Sequence, residues 1–177
     1  IKKVFAFSTP AIATCRPDKK GKEDQLRRLK LAMDAGAKYV DIEFESTDTQ
    51  REAIISYAKG YGCKIIISYH NFITTPTLDE LHQIVDQCFI KKADIAKVAT
   101  QVNTLSDAAN LLSVYNCNRP VVALGMGELG KITRIIAPWL GAVFSFAAMD
   151  DGLATAPGQI KYQKMKEIMD YLDENLK

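Results

Sequence analysis

The sequence lacks several features that mark large classes of protein. It has no CxxC pair: Cys15, Cys63, Cys88 and Cys117 are 48, 25 and 29 residues apart, and none has a histidine at metal-ligand spacing. That argues against a cysteine-based metal site, and four separate thiols read instead as buried or half-buried residues of a reducing compartment. It has no basic excess, with 23 Lys+Arg against 21 Asp+Glu and a net charge of +2. A protein held on nucleic acid by phosphate neutralisation needs more than that. It has no long apolar run either. The longest uncharged stretch, Ile135–Met149, is broken by Pro138, Gly141 and Ser145 and is too short to span a bilayer. There is no low-complexity stretch, no linker and no secretory pattern at the start. The expectation is one soluble domain over residues 1–177, cytoplasmic, with no nucleic-acid partner and no membrane.

What is present is an alternation. With 47% hydrophobic and 25% charged residues the composition is that of an ordinary globular chain. Short apolar runs predict strands at Ala11–Cys15, Tyr39–Glu43, Lys64–Tyr69, Asp94–Ala99, Pro120–Leu124 and Ala142–Phe146. Helical periods lie between them. Leu26, Leu29 and Met33 share a face that ends at Gly36, a C′ glycine. Thr77 and Glu80 form a capping box ahead of Leu81, Ile84, Val85 and Cys88, and Thr104 caps a helix carrying Leu105, Ala108 and Leu112. Later helices carry Ile132, Ile135, Ile136 and Trp139, then Ile160, Met165, Ile168 and Leu172. Strand–helix units repeating every roughly 25–30 residues imply parallel strands with crossover helices. Six units fit an open doubly wound sheet or a (β/α)8 barrel two units short of closure. Ile1–Ser8 reads as the end of a helix rather than as a strand. No phosphate-binding loop of the type G-x-x-x-x-G-K-S/T occurs, and Gly125-Met126-Gly127-Glu128-Leu129-Gly130 comes late in the chain, with no acidic residue closing the following strand, so it is a weak dinucleotide signal.

Several residues invite chemistry. Lys97 stands in Ile95-Ala96-Lys97-Val98-Ala99, a run that reads as a strand buried on both faces. A buried unpaired ammonium costs several kcal/mol, and the escape is to shed the proton, leaving the nucleophilic amine that Schiff-base chemistry needs. The alternative is a lysine at a strand end that reaches solvent or pairs with a carboxylate. His70 closes Ile65-Ile66-Ile67-Ser68-Tyr69-His70 at the C-terminal end of a strand, where parallel α/β proteins carry their sites; it is otherwise a structural histidine. His82 reads as a surface residue. Asp41, Glu43 and Glu45 share a strand face, which suits a polar cavity or facing cations, though Glu45 can also lie beyond the strand. Arg134, taken alone, reads as an exposed helix arginine.

In this order and spacing the residues resemble type I 3-dehydroquinate dehydratase, the Schiff-base enzyme of the shikimate pathway. The resemblance runs through Ile12-Ala13-Thr14-Cys15-Arg16, Val40-Asp41-Ile42-Glu43 and Ser68-Tyr69-His70-Asn71-Phe72 with Thr75-Pro76. It continues through Asp94-Ile95-Ala96-Lys97-Val98-Ala99, Gly125-Met126-Gly127 with Gly130 and Arg134, and Ala156-Pro157-Gly158-Gln159-Ile160. It implies a (β/α)8 TIM barrel whose first two βα units are absent from this sequence. It also implies Lys97 as the imine-forming lysine, His70 as general acid/base and Arg134 as the fork for the substrate carboxylate. Arg16, Thr155 and Gln159 become substrate-binding residues, Met126 and Phe146 apolar walls, and Glu43 a supporting residue.

The implied reaction removes water from 3-dehydroquinate to give 3-dehydroshikimate, in a cytoplasmic homodimer that needs no cofactor and no metal. Two departures accompany the resemblance. Lys20 stands where the family has a glutamate that contacts the histidine, with Glu23 and Asp18 as substitutes, and no Glu-x-Arg pair precedes Arg16. Two other readings remain. One is a different Schiff-base barrel of the class I aldolase kind. The other is a catalytically impaired barrel remnant that serves as an interaction protein.

Overall fold

The computed structural model describes residues 9–16, 22–149, 156 and 158–175. The expected reading of Ile1–Ser8, the loop holding Asp18 and Lys20, and Thr155 all lie outside these residues. Among them are five strands, β1 (Ile12–Thr14), β2 (Tyr39–Glu43), β3 (Lys64–Asn71), β4 (Ile95–Gln101) and β5 (Val121–Met126). The helices are α1 (Lys22–Asp34), α2 (Asp48–Gly60), α3 (Leu78–Ile90), α4 (Leu105–Ser113), α5 (Lys131–Ile136) and α6 (Tyr162–Asn175), with a 3-10 turn at Ala137–Leu140. The strands form one sheet in chain order, β1-β2-β3-β4-β5. β1, β2 and β3 pair in parallel, with Ala13 opposite Val40 and Val40 opposite Ile65. A parallel ladder requires crossovers between strands, which α1 and α2 supply.

By proximity the chain divides into two compact units, Ile1–Tyr69 with Asp86–Ala96, and His70–Val85 with Lys97–Lys177. In the first, Val40, Ile42, Ile66 and Ile67 are fully buried, together with Leu29 and Met33 from the apolar face of α1. That helix stops where expected. Gly36 takes φ 104°, and its N–H donates to Met33 O at 3.0 Å while Ala37 N–H reaches Ala32 O at 3.0 Å. This is the paired closure that a left-handed C′ glycine permits. In the second unit Val98, Val121, Val122, Ala123 and Leu111 are buried. The expected caps are present: Thr77 N–H donates to Glu80 Oε2 at 2.8 Å, and Thr104 Oγ1 accepts from Asp107 N at 3.2 Å.

Three expectations fail in the second unit. Ala142–Phe146 is not a strand. Val143 N–H makes one bond to Val121 O at 3.3 Å, and the Ser145 hydroxyl donates instead to Arg134 O at 2.9 Å, so no ladder forms. Leu105 does not join the core of α4; as the first helical residue, beside the capping box, it is 71% exposed, while Ala108 is buried as expected and Leu111 is buried with it. The α5 helix is rotated from its apolar period: Ile132 is exposed, while Thr133 and Arg134 are buried.

Candidate active site

Lys97 occupies the middle of β4 among Ile95, Ala96, Val98, Ala99 and Thr100, all buried, and is itself only 9% exposed. A lysine that reached solvent would show far more surface than this. Its Nζ lies 5.2 Å from the centroid of the Phe146 ring, over the ring. Phe146 in turn meets Phe144 edge-to-face, with centroids 5.4 Å apart and planes at 82°. The Ser145 bond to Arg134 O fixes the residue between the two rings.

Two residues beyond Ala99 on the same face of the strand stands Gln101, placed there by the period of two. Its amide lies against Gly127, where a Cβ would come within 2.5 Å of Gln101 Nε2. On Gly127 also rests the segment that carries Gln159: a Cβ on Gly158 would lie 2.3 Å from Gly127 O. Gly127 and Gly158 take φ 81° and 77°, so neither position suits a side chain. Met126, the residue before Gly127, ends β5 and is buried. The structure thus brings Gln159's segment to the end of β5, and the side chain of Gln101 to the same glycine. Gln101 had escaped notice in the sequence, although its spacing from Lys97 by four along a strand was a legible signal.

His70 lies on β3, half-buried, its ring stacked on Phe72 with centroids 6.0 Å apart and planes at 7°. The next residue ends the strand: Asn71 Oδ1 accepts from the N–H groups of Ile73 and Thr74 at 3.0 and 3.1 Å, a side-chain-made turn. The loop is then fastened to the end of β4. Thr75 Oγ1 donates to Gln101 O at 2.8 Å and lies 2.8 Å from Thr100 Oγ1, and Asn103 Nδ2 donates to Ile73 O at 2.9 Å. The strand of Lys97 and the loop following His70 therefore share anchors.

Arg134 is not the exposed helix arginine that its residue type suggests. It is 2% exposed, and among the described residues its Nε has no hydrogen-bond partner. Desolvation holds its pKa below the ordinary guanidinium value. Its helix is drawn inward by Thr133, whose Oγ1 accepts from Gly125 N at 2.7 Å and donates to Gly130 O at 2.7 Å. Gly125 and Gly130 touch so closely that a Cβ on Gly130 would lie 2.4 Å from Gly125 C. Packing of β5 against the start of α5 accounts for the glycine spacing that spells a dinucleotide motif.

The first unit holds the other expected residues. Arg16, beyond β1, pairs with Glu43 at 3.1 Å. Asp41, also on β2, is 4% exposed and accepts from the hydroxyls of Ser68 and Thr14. Glu45 lies beyond β2 and is exposed. Among the described residues no group of three or more His, Cys, Asp or Glu is placed to hold a metal ion, and no helix is long and apolar enough to cross a membrane.

Comparison with known proteins gives the family. The family model for type I 3-dehydroquinase matches residues 1–176. The chain belongs to the type I 3-dehydroquinase family. It is 38% identical over 173 residues to the 3-dehydroquinate dehydratase of Methanococcus maripaludis strain C5, covering 93% of this chain and 78% of that one. The 3-dehydroquinate dehydratase of Aquifex aeolicus VF5 superposes with a TM-score of 0.77 at 27% identity, over 92% of this chain and 73% of that one. For the enzyme of Geobacillus kaustophilus HTA426 the TM-score is 0.84 at 24% identity, over 95% and 69%, which bears on the fold alone. The five-stranded parallel sheet of this type I 3-dehydroquinase is therefore of the barrel kind, and the open nucleotide-binding sheet is set aside.

Proposed function

We propose that this chain dehydrates 3-dehydroquinate to 3-dehydroshikimate through an imine on Lys97. The observation that carries the reading is a lysine sealed inside a strand, its Nζ facing an aromatic ring, in a chain of the type I family. With its proton removed, the Lys97 amine attacks the C3 ketone. The carbinolamine loses its oxygen as water and leaves a protonated imine, a better electron sink than the ketone. His70 takes the C2 proton as the electrons run into the C=N bond to form an enamine. The enamine then expels the C1 hydroxyl, to which His70 returns the proton, so that water departs. Hydrolysis of the product imine restores the amine, and the net change is loss of one water.

Arg134 suits the substrate carboxylate. A guanidinium out of water whose Nε meets no partner among the described residues gains most from an anion that accepts its hydrogen bonds. Gln159 and Thr155 are assigned to the substrate from the closing segment, Arg16 to the substrate with Glu43 supporting it, and Met126 and Phe146 to the walls. The four cysteines are free thiols, which supports a reducing, cytoplasmic setting. The homodimer is carried over from the resemblance. The deciding experiment is borohydride reduction in the presence of 3-dehydroquinate followed by peptide mapping. A secondary amine at Lys97 is expected, with labelling and dehydration both lost in Lys97→Ala and Lys97→Arg, since a guanidinium stays protonated and forms no imine. A label on another lysine, or dehydration surviving in Lys97→Ala, overturns the assignment.

A further inference from the structure

We propose that the face of Phe146 holds the positive charge of the imine nitrogen and so makes the protonated imine the favoured form of the adduct, an inference that rests on Lys97 as the imine-forming lysine. The Lys97 Nζ sits over that ring at 5.2 Å from its centroid, within the range in which a ring quadrupole attracts a cation. The amine nitrogen becomes the imine nitrogen. Imine formation consumes the ketone, the amine and one proton and releases water, so a unit of charge appears on the atom that already faces the ring. The ring is held by Phe144 against its side and by the Ser145–Arg134 bond next to it in the chain.

The chemical nature of the group matters. A carboxylate in the same place would attract the charge and also accept the imine proton, and a neutral imine is a poor electron sink. An aromatic face attracts the charge and has no lone pair to accept the proton. Phe146 would then do more than exclude water: it would favour the charged adduct without quenching it. Loss of the C2 proton neutralises the nitrogen, so the ring opposes that step slightly, and its effect belongs to the amount of imine rather than to turnover.

The test is a graded weakening of the ring's negative face with almost no change of shape. Mono-, di- and trifluorophenylalanine are placed at position 146 of the full chain, alongside Phe146→Leu. With 3-dehydroquinate present, the fraction of protein trapped as the reduced Lys97 adduct is measured across pH. The trapped fraction, expressed as an imine-to-amine ratio, is expected to fall in order of fluorination by about 2- to 10-fold in total, with Phe146→Leu lowest. The pH at which half of the trappable imine is lost is expected to move down in the same order. A ratio and a pH midpoint that stay flat across the fluorinated series, while the unsubstituted chain is trapped at Lys97, overturn this inference and leave the Schiff-base reading standing. Absence of any Lys97 adduct in the unsubstituted chain overturns both.

Discussion

The two compact units treat buried charge in opposite ways. In the first, the buried Asp41 accepts from the hydroxyls of Ser68 and Thr14, and the buried Arg51 donates to Ser46 O at 3.0 Å and pairs with Asp48. In the second, the buried arginine has an Nε with no partner among the described residues, and the buried lysine faces an aromatic ring. Saturated polar groups rigidify a structure, whereas a desolvated guanidinium such as that of Arg134, its Nε short of a partner among the described residues, is a standing cost that a bound anion relieves. The difference sets polar residues that complete each other within the scaffold apart from the arginine proposed to take the substrate carboxylate.

The sharpest way to break this comparison is at His70. His70→Ala is expected to lower kcat by about 10²–10⁴-fold, the usual worth of a general acid–base, while borohydride still traps Lys97. Activity within a factor of about three of the parent returns His70 to a structural role. Arg134→Met comes next. Replacing a buried cation by an apolar chain of similar length is commonly neutral or stabilising, so the melting temperature should hold or rise while KM climbs by about 10- to 100-fold, the worth of a charged hydrogen bond. A fall in melting temperature with unchanged KM would make Arg134 part of the scaffold.

Asp41→Ala tests the other side. It strips the acceptor from the buried Ser68 hydroxyl and should cost about 1–3 kcal/mol in urea unfolding. The smallest effect concerns two thiols. Burial pushes Cys63 up to about 11 and Cys88 up to about 12, from an ordinary 9.0. An acid whose folded pKa is raised keeps more protons folded than unfolded, so its contribution is complete below pH 9 and is lost as pH rises towards 11–12. Cys88→Ala should flatten the alkaline decline in melting temperature, and equal slopes in parent and variant would contradict it.

How much of this could be read from the residues follows from how local each signal was. The ends of α1 and α3 were legible because a C′ glycine and a capping box act within one turn. Lys97 was legible because a parallel strand buried on both faces is an uninterrupted apolar run, and its one ionisable residue stands out. Arg134 was illegible. Its helix has six residues before the 3-10 turn at Pro138, too few for a period to be reliable, and its Ile132, Ile135 and Ile136 point the apolar stripe the wrong way. What turns the helix is the Thr133 hydroxyl shared between Gly125 and Gly130, a tertiary bond with no trace in the pattern. Ala142–Phe146 misled in the other direction: its composition suits a strand, but the Ser145 hydroxyl bonds a helix carbonyl and no ladder follows.

The seat of the Gln159 segment on Gly127 is made of main chain on both sides. A joint of that kind is indifferent to the side chains around it, which bears on how the protein can be altered. Libraries that vary Gln159, the residue proposed to meet the substrate, leave that footing in place. Libraries that vary Gly158 sample only ways of unseating it, because any Cβ there meets the Gly127 main chain; at Gly127 a Cβ would push aside the Gln101 amide and sit on a backbone at φ 81°, which disfavours a side chain. Evolution of this end of the molecule is therefore channelled: Gln159 is open to drift and selection, and the glycine beside it that seats the segment is closed.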